Sequence, residues 1–119
     1  MSTRAIGFTI IILWPAISVA ETFTANQASK HIGETATICG IVASTNFAKQ
    51  AKGQPTFLNL ERPYPNESVT LVTWGENRPR FGTPESTLLQ QRACATGVIE
   101  LYRGRPQVIL RDPDQLKQE

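Results

Sequence analysis

The residues able to do covalent or metal chemistry are few. Cys39 and Cys94 are the only thiols, His31 is the only histidine, and ten Asp and Glu are spread along 119 residues. Two cysteines in an exported domain usually pair; the alternative is two buried thiols acting as small hydrophobes. Paired, they leave no thiolate nucleophile and no soft metal ligand. His31 precedes the first β-type run, in a turn that suits a solvated side chain. Asp112 and Asp114 are the tightest acidic cluster, but Asp112-Pro113-Asp114-Gln115 is the pattern of a helix cap. Glu61, Glu76 and Glu100 come from separate segments with no spacing that argues for convergence. This inventory predicts no catalytic group, no metal site and no cofactor.

A second set suits contact with a polymer rather than bond-making. Phe57, Tyr64 and Trp74 are flat enough to stack on bases, Asn59 can hydrogen-bond, and Lys49, Lys52, Arg103 and Arg105 can follow phosphates. Their use depends on which elements carry them and which way those elements face.

The first twenty residues read as a secretory signal: Arg4 as the basic start, an apolar stretch from Ala5 to Pro15, and Ser18-Val19-Ala20 as small residues before a cut. The apolar stretch is too short to span a bilayer comfortably. Cleavage therefore leaves no stable membrane anchor, and a periplasmic or secreted chain beginning at Glu21. Residues 21–29 (ETFTANQAS) read as a small, polar, loosely ordered lead-in, and 30–119 as one domain. The mature chain has 11 Lys and Arg against 10 Asp and Glu, a net charge of +1. Charge alone cannot then hold a polyanion, and any nucleic-acid binding must use local patches.

Five β-type runs follow: Thr35–Ala43, Thr56–Leu60, Val69–Trp74, Arg92–Tyr102 and Gln107–Leu110. Thr83-Pro84-Glu85 starts a short helix running to Gln91, between the third and fourth runs. Arg103-Gly104-Arg105 makes a hairpin turn, and Asp112–Gln115 predicts a terminal helical turn. Five short strands, glycines inside the first and fourth (Gly40, Gly97), and one internal helix describe an all-β, five-stranded OB-fold Greek-key barrel. In that barrel the first and fourth strands are neighbours, which would bring Cys39 to Cys94.

Alternation predicts the faces. With Leu58 and Leu60 inward, Phe57 and Asn59 point outward; with Val69 and Leu71 inward, Thr70, Val72 and Trp74 point outward. That outer face of the second and third strands is where OB barrels bind oligomers. It is flanked by the loop holding Lys49 and Lys52 and the loop holding Arg103 and Arg105.

His31-Ile32-Gly33-Glu34-Thr35-Ala36-Thr37-Ile38-Cys39-Gly40-Ile41-Val42, followed by Phe57-Leu58-Asn59-Leu60, resembles the tRNA-anticodon-type OB domains of class II aminoacyl-tRNA synthetases over the first third of the mature chain. There the aromatic matching Phe57 stacks on an anticodon base. The chain departs from that family at Arg62-Pro63-Tyr64-Pro65-Asn66 and lacks a catalytic synthetase domain, so the resemblance implies a binding surface and no tRNA function. Nearly the whole mature chain is similar to small exported OB-fold nucleic-acid-binding domain proteins, through Tyr64-Pro65-Asn66, Val72-Thr73-Trp74-Gly75 and Tyr102-Arg103-Gly104-Arg105-Pro106-Gln107-Val108. Thr83-Pro84-Glu85 is also similar to a fragment of staphylococcal-type nucleases, but the acidic motif those enzymes need upstream is absent.

The sequence thus predicts an exported, non-catalytic binding module for single-stranded nucleic acid. The alternative is an envelope module that binds a protein, glycan or small ligand, favoured by the near-neutral charge and the extracytoplasmic address. Asn66-Glu67-Ser68 is a glycosylation sequon that matters only in a pathway that glycosylates.

Overall fold

The computed structural model describes residues 5–14 and 19–119. Arg4, Pro15 and Ser18 of the predicted signal lie outside the described residues. Residues 5–14 form no regular element, and their large side chains, from Ile6 to Trp14, are exposed. The domain core uses none of them.

Among the described residues there are seven strands: β1 (Thr22–Thr24), β2 (Thr35–Phe47), β3 (Thr56–Leu60), β4 (Val69–Thr73), β5 (Arg92–Tyr102), β6 (Arg105–Ile109) and β7 (Leu116–Gln118). They run in the order β1-β2-β3-β4-β6-β5-β7, and a further β2–β5 pairing closes β2, β3, β4, β6 and β5 into a barrel. β2 serves both ends of that closure. Its first half pairs antiparallel with β5, its second half pairs with β3, and an irregularity between Val42 and Ser44 bends it from one partner to the other. β4 and β6 run parallel, as the OB topology requires. This is the all-β OB barrel read from the sequence.

Alternation builds the core. Ala36, Ile38 and Val42 of β2, Leu58 and Leu60 of β3, Val69 and Leu71 of β4, Ala93, Ala95 and Ile99 of β5, and Val108 face one another and exclude solvent. Cys39 and Cys94 are direct cross-strand partners on the opposite, outer side of the β2–β5 wall, and they are bonded. Beside them Thr37 and Thr96 share a 2.7 Å hydroxyl–hydroxyl hydrogen bond.

Three elements differ from the sequence reading. The lead-in is part of the fold: β1 pairs parallel with β2, and a 3-10 turn over Ala25–Lys30 buries Ala25 and Ala28 in the core. Small side chains and Gly40 make this possible, since a Cβ on Gly40 would lie 3.0 Å from that of Ala25. An unexpected helical turn, α1 (Arg78–Phe81), comes first; the helix expected from Thr83 to Gln91 is one turn, α2 (Pro84–Thr87), and Thr83 makes no side-chain cap bond. Finally, the Asp112 cap forms as expected, with the Gln115 side chain accepting from the backbone N–H groups of Arg111 and Asp112. The chain then leaves as β7 rather than as a helix, because Gln115 Nε2 donates to Thr96 and Ile109 carbonyls and pins the segment beside β5.

Candidate nucleic-acid interface

The outer face of β3 and β4 extends sideways onto β2 and β6. Cross-strand register sets its rows: Asn46, Phe57, Val72 and Ile109 form one, and Ser44, Asn59, Thr70 and Gln107 the next. The directions expected for Phe57, Asn59, Thr70 and Val72 all hold, because Leu58, Leu60, Val69 and Leu71 fill the interior.

The first row is mostly apolar and lies towards the loop at 48–55. Phe57 is half-buried between Asn46 and Val72. Trp74, just beyond β4, is 39% exposed. Its ring lies on Gly53, close enough that a Cβ there would meet it at 2.9 Å, and Gly75 N–H donates to Gly53 O. Gly53 has a φ of +78°, so glycine suits this position twice over, by conformation and by space. Lys49 and Lys52 are exposed in the same loop and form no ion pair among the described residues.

The second row is a closed polar network. Asn59 is only 3% exposed. Its Nδ2 donates to Ser44 Oγ at 3.1 Å, and its Oδ1 accepts from Thr70 Oγ1 at 3.1 Å. Ser44 Oγ also accepts from the Tyr64 N–H. Asn59 therefore faces outward but is engaged within the wall, unlike the open contact its direction suggested.

Arg105 is likewise engaged. Its Nη1 lies 2.9 Å from Glu67 Oε1, and its Nη2 donates to Pro65 O. The Glu67 side chain is 5% exposed. From the other side Arg62 donates to Asn66 O, Ser68 Oγ and Asn26 Oδ1. These bonds hold the segment 62–68, and Tyr64 projects from it 72% exposed. Arg103 is exposed, with its guanidinium carbon 5.2 Å from the centroid of the Tyr102 ring.

Of the residues named from the sequence, the fold gathers Phe57, Trp74, Lys49 and Lys52 at one end of the face and Tyr64 and Arg103 at the other. Tyr102, which the alternation argument for β3 and β4 does not reach, also lies on the outward side of β5, three residues beyond the inward Ile99. In sequence Glu67 stands out only as the middle of the Asn66-Glu67-Ser68 sequon. One barrel end is closed by Arg78, whose guanidinium sits 3.6 Å from the Phe47 ring centroid, 2.6 Å from Glu85 Oε1 and 2.8 Å from Thr56 Oγ1.

His31 stacks on Phe23 at 3.6 Å, with Nδ1 2.7 Å from Glu34 Oε2, so one ring face is packed while the side chain keeps partial access to solvent. The sulfurs of Cys39 and Cys94 lie near the Glu119 carboxylate. Bonded to each other, they offer no thiolate to a metal.

No protein-family model matches the chain, and no curated protein matches it. Solved structures do. OBody AM1L10 bound to hen egg-white lysozyme is similar with a TM-score of 0.59 and 12% identity, over 87% of this chain and 98% of that one. OBody AM3L09, also bound to hen egg-white lysozyme, has a TM-score of 0.57 and 12% identity over 85% and 96%. A protein described as an aspartyl-tRNA synthetase of Leishmania major Friedlin has a TM-score of 0.58 and 10% identity; the match takes in 91% of this chain but 23% of that one. At these identities the likeness is one of fold, and it agrees with the strand order.

Proposed function

We propose that the chain is an exported, non-catalytic OB-barrel module that holds single-stranded nucleic acid on the outer face of β3 and β4. The observation carrying this reading is the grouping, at one end of that face, of Phe57, Trp74 and the exposed Lys49 and Lys52, which form no ion pair among the described residues. Aromatic rings accept any base by stacking, at about 1–3 kcal/mol per base, while neighbouring cations neutralise phosphates. Asn59 drops out of the contact set because its polar atoms are already engaged, and Arg105 is directed toward Glu67 and Pro65. Export is supported by the apolar residues 5–14, which pack on nothing in the domain, and by the disulfide.

The test is a fluorescence-anisotropy titration of labelled oligo-dT at two salt concentrations. Binding should weaken with salt at a log–log slope of about −0.7 per phosphate contacted. Phe57→Ala should weaken it by at least about fivefold, the low end of one lost stack. Absence of binding at high micromolar protein would refute the reading.

A protein ligand is the second reading. It is favoured by Val98, Leu101 and Tyr102 of β5, which are 45%, 56% and 55% exposed, and by OBody AM1L10, a barrel of this fold bound to a protein. Salt-independent silence towards DNA would favour it.

A further inference from the structure

The segment 62–68 presents an unusual combination. Tyr64 is the most exposed aromatic of the barrel domain, yet its backbone is held from three directions. Ser44 Oγ accepts its N–H, Arg62 bonds to Asn66 and Ser68 behind it, and Arg105 bonds to Pro65 and Glu67 in front. Surface aromatics are normally free to fold down onto nearby apolar atoms. One displayed on a segment fixed this firmly loses little freedom on binding, the condition under which an aromatic anchor adds most to affinity.

A second exposed aromatic lies close by. Tyr102 pairs across the β5–β6 hairpin with Arg105, the same residue that reaches Pro65, and Arg103 lies over its ring. Both tyrosines therefore flank Arg105, at the end of the face opposite Trp74 and Lys52. The five residues of β4 between those ends span roughly 17 Å, too far for one nucleotide and right for a short strand.

Resting on the nucleic-acid reading above, we propose that Tyr64 and Tyr102 form a second stacking station for the same strand, with Arg103 as its phosphate contact. Arg105 and Glu67 are positioning residues there: they hold the Tyr64 segment in place and do not touch the ligand.

The experiment uses the mature protein and a labelled dT12 titrated at several salt concentrations. Tyr64→Ala/Tyr102→Ala, two exposed positions where folding is not at stake, should lower affinity about tenfold or more. Arg103→Gln should flatten the salt slope by about 0.7, one phosphate contact. Arg105→Gln should lower affinity with the slope unchanged. Glu67→Gln is the discriminating variant. It removes a negative charge from the face, so simple electrostatics would raise affinity, whereas loss of positioning lowers it. Wild-type affinity in the double tyrosine variant, or a gain in Glu67→Gln together with a flattened slope in Arg105→Gln, would overturn the proposal while leaving the Phe57 site standing. Failure of the wild-type protein to bind dT12 at all would overturn both.

Discussion

Removing the disulfide should produce a loss of stability whose size and pattern follow from its place in the barrel. Cys39 and Cys94 face each other across β2 and β5, 55 residues apart in sequence, so the bond closes one long loop that takes in β3, β4 and both helical turns. In the chain-entropy argument a loop of that length contributes about 4 kcal/mol by restricting the unfolded state. A domain of about 100 residues loses about 4 °C or more in Tm per kcal/mol, which places the drop near 16 °C or above. The pattern matters as much as the size. Cys39→Ala alone opens the loop as fully as Cys39→Ala/Cys94→Ala does, so the single and double variants should melt close together. Thermal and urea unfolding followed by circular dichroism would measure both. A loss below about 1 kcal/mol, or costs that add across the two positions, would refute the reasoning and make the sulfurs two separately packed groups.

Two further predictions concern the frame that presents the face. Arg78→Ala should destabilise the domain by about 2–4 kcal/mol in urea unfolding, because it deletes a cation–π contact with Phe47 and strands the 14%-exposed Glu85 carboxylate; Arg78→Ala/Glu85→Ala should recover part of that loss. Gly40→Ala would place a Cβ 2.5 Å from Glu61 Oε1 and 3.0 Å from the Ala25 Cβ. It should cost about 1–3 kcal/mol and raise amide hydrogen exchange in β1 and the turn that follows, as the 3-10 turn is pushed off the barrel.

The barrel was legible because its signals are local and mutually consistent. Leu58 and Leu60, then Val69 and Leu71, repeat with the period of a half-buried strand, and Asp112 with Gln115 spells a cap. β1 and β7 were not legible. Thr22–Thr24 and Leu116–Gln118 are three residues each, too short for a period, and each exists only because an edge of the barrel was there to pair with. The same distinction divides the site. That Phe57 and Asn59 face outward follows from alternation along one strand. That Asn59 is buried does not, since the groups surrounding it come from Ser44, Thr70 and the segment around Tyr64, assembled by the fold. Arg105 looked free in a hairpin because Glu67, its partner, lies 38 residues away in sequence.

In the proposed function the ligand lies on the outer face of β3 and β4, with its far end at the β5–β6 hairpin, and not on the disulfide wall. Nitrogen-15 chemical-shift mapping during titration with unlabelled oligo-dT tests it directly. The predicted result is a set of shifts at Phe57, the Trp74 indole, Lys49 and Lys52, with Thr37 and Thr96 on the disulfide wall unmoved. Shifts clustered around that wall, or spread evenly over the surface, would contradict it.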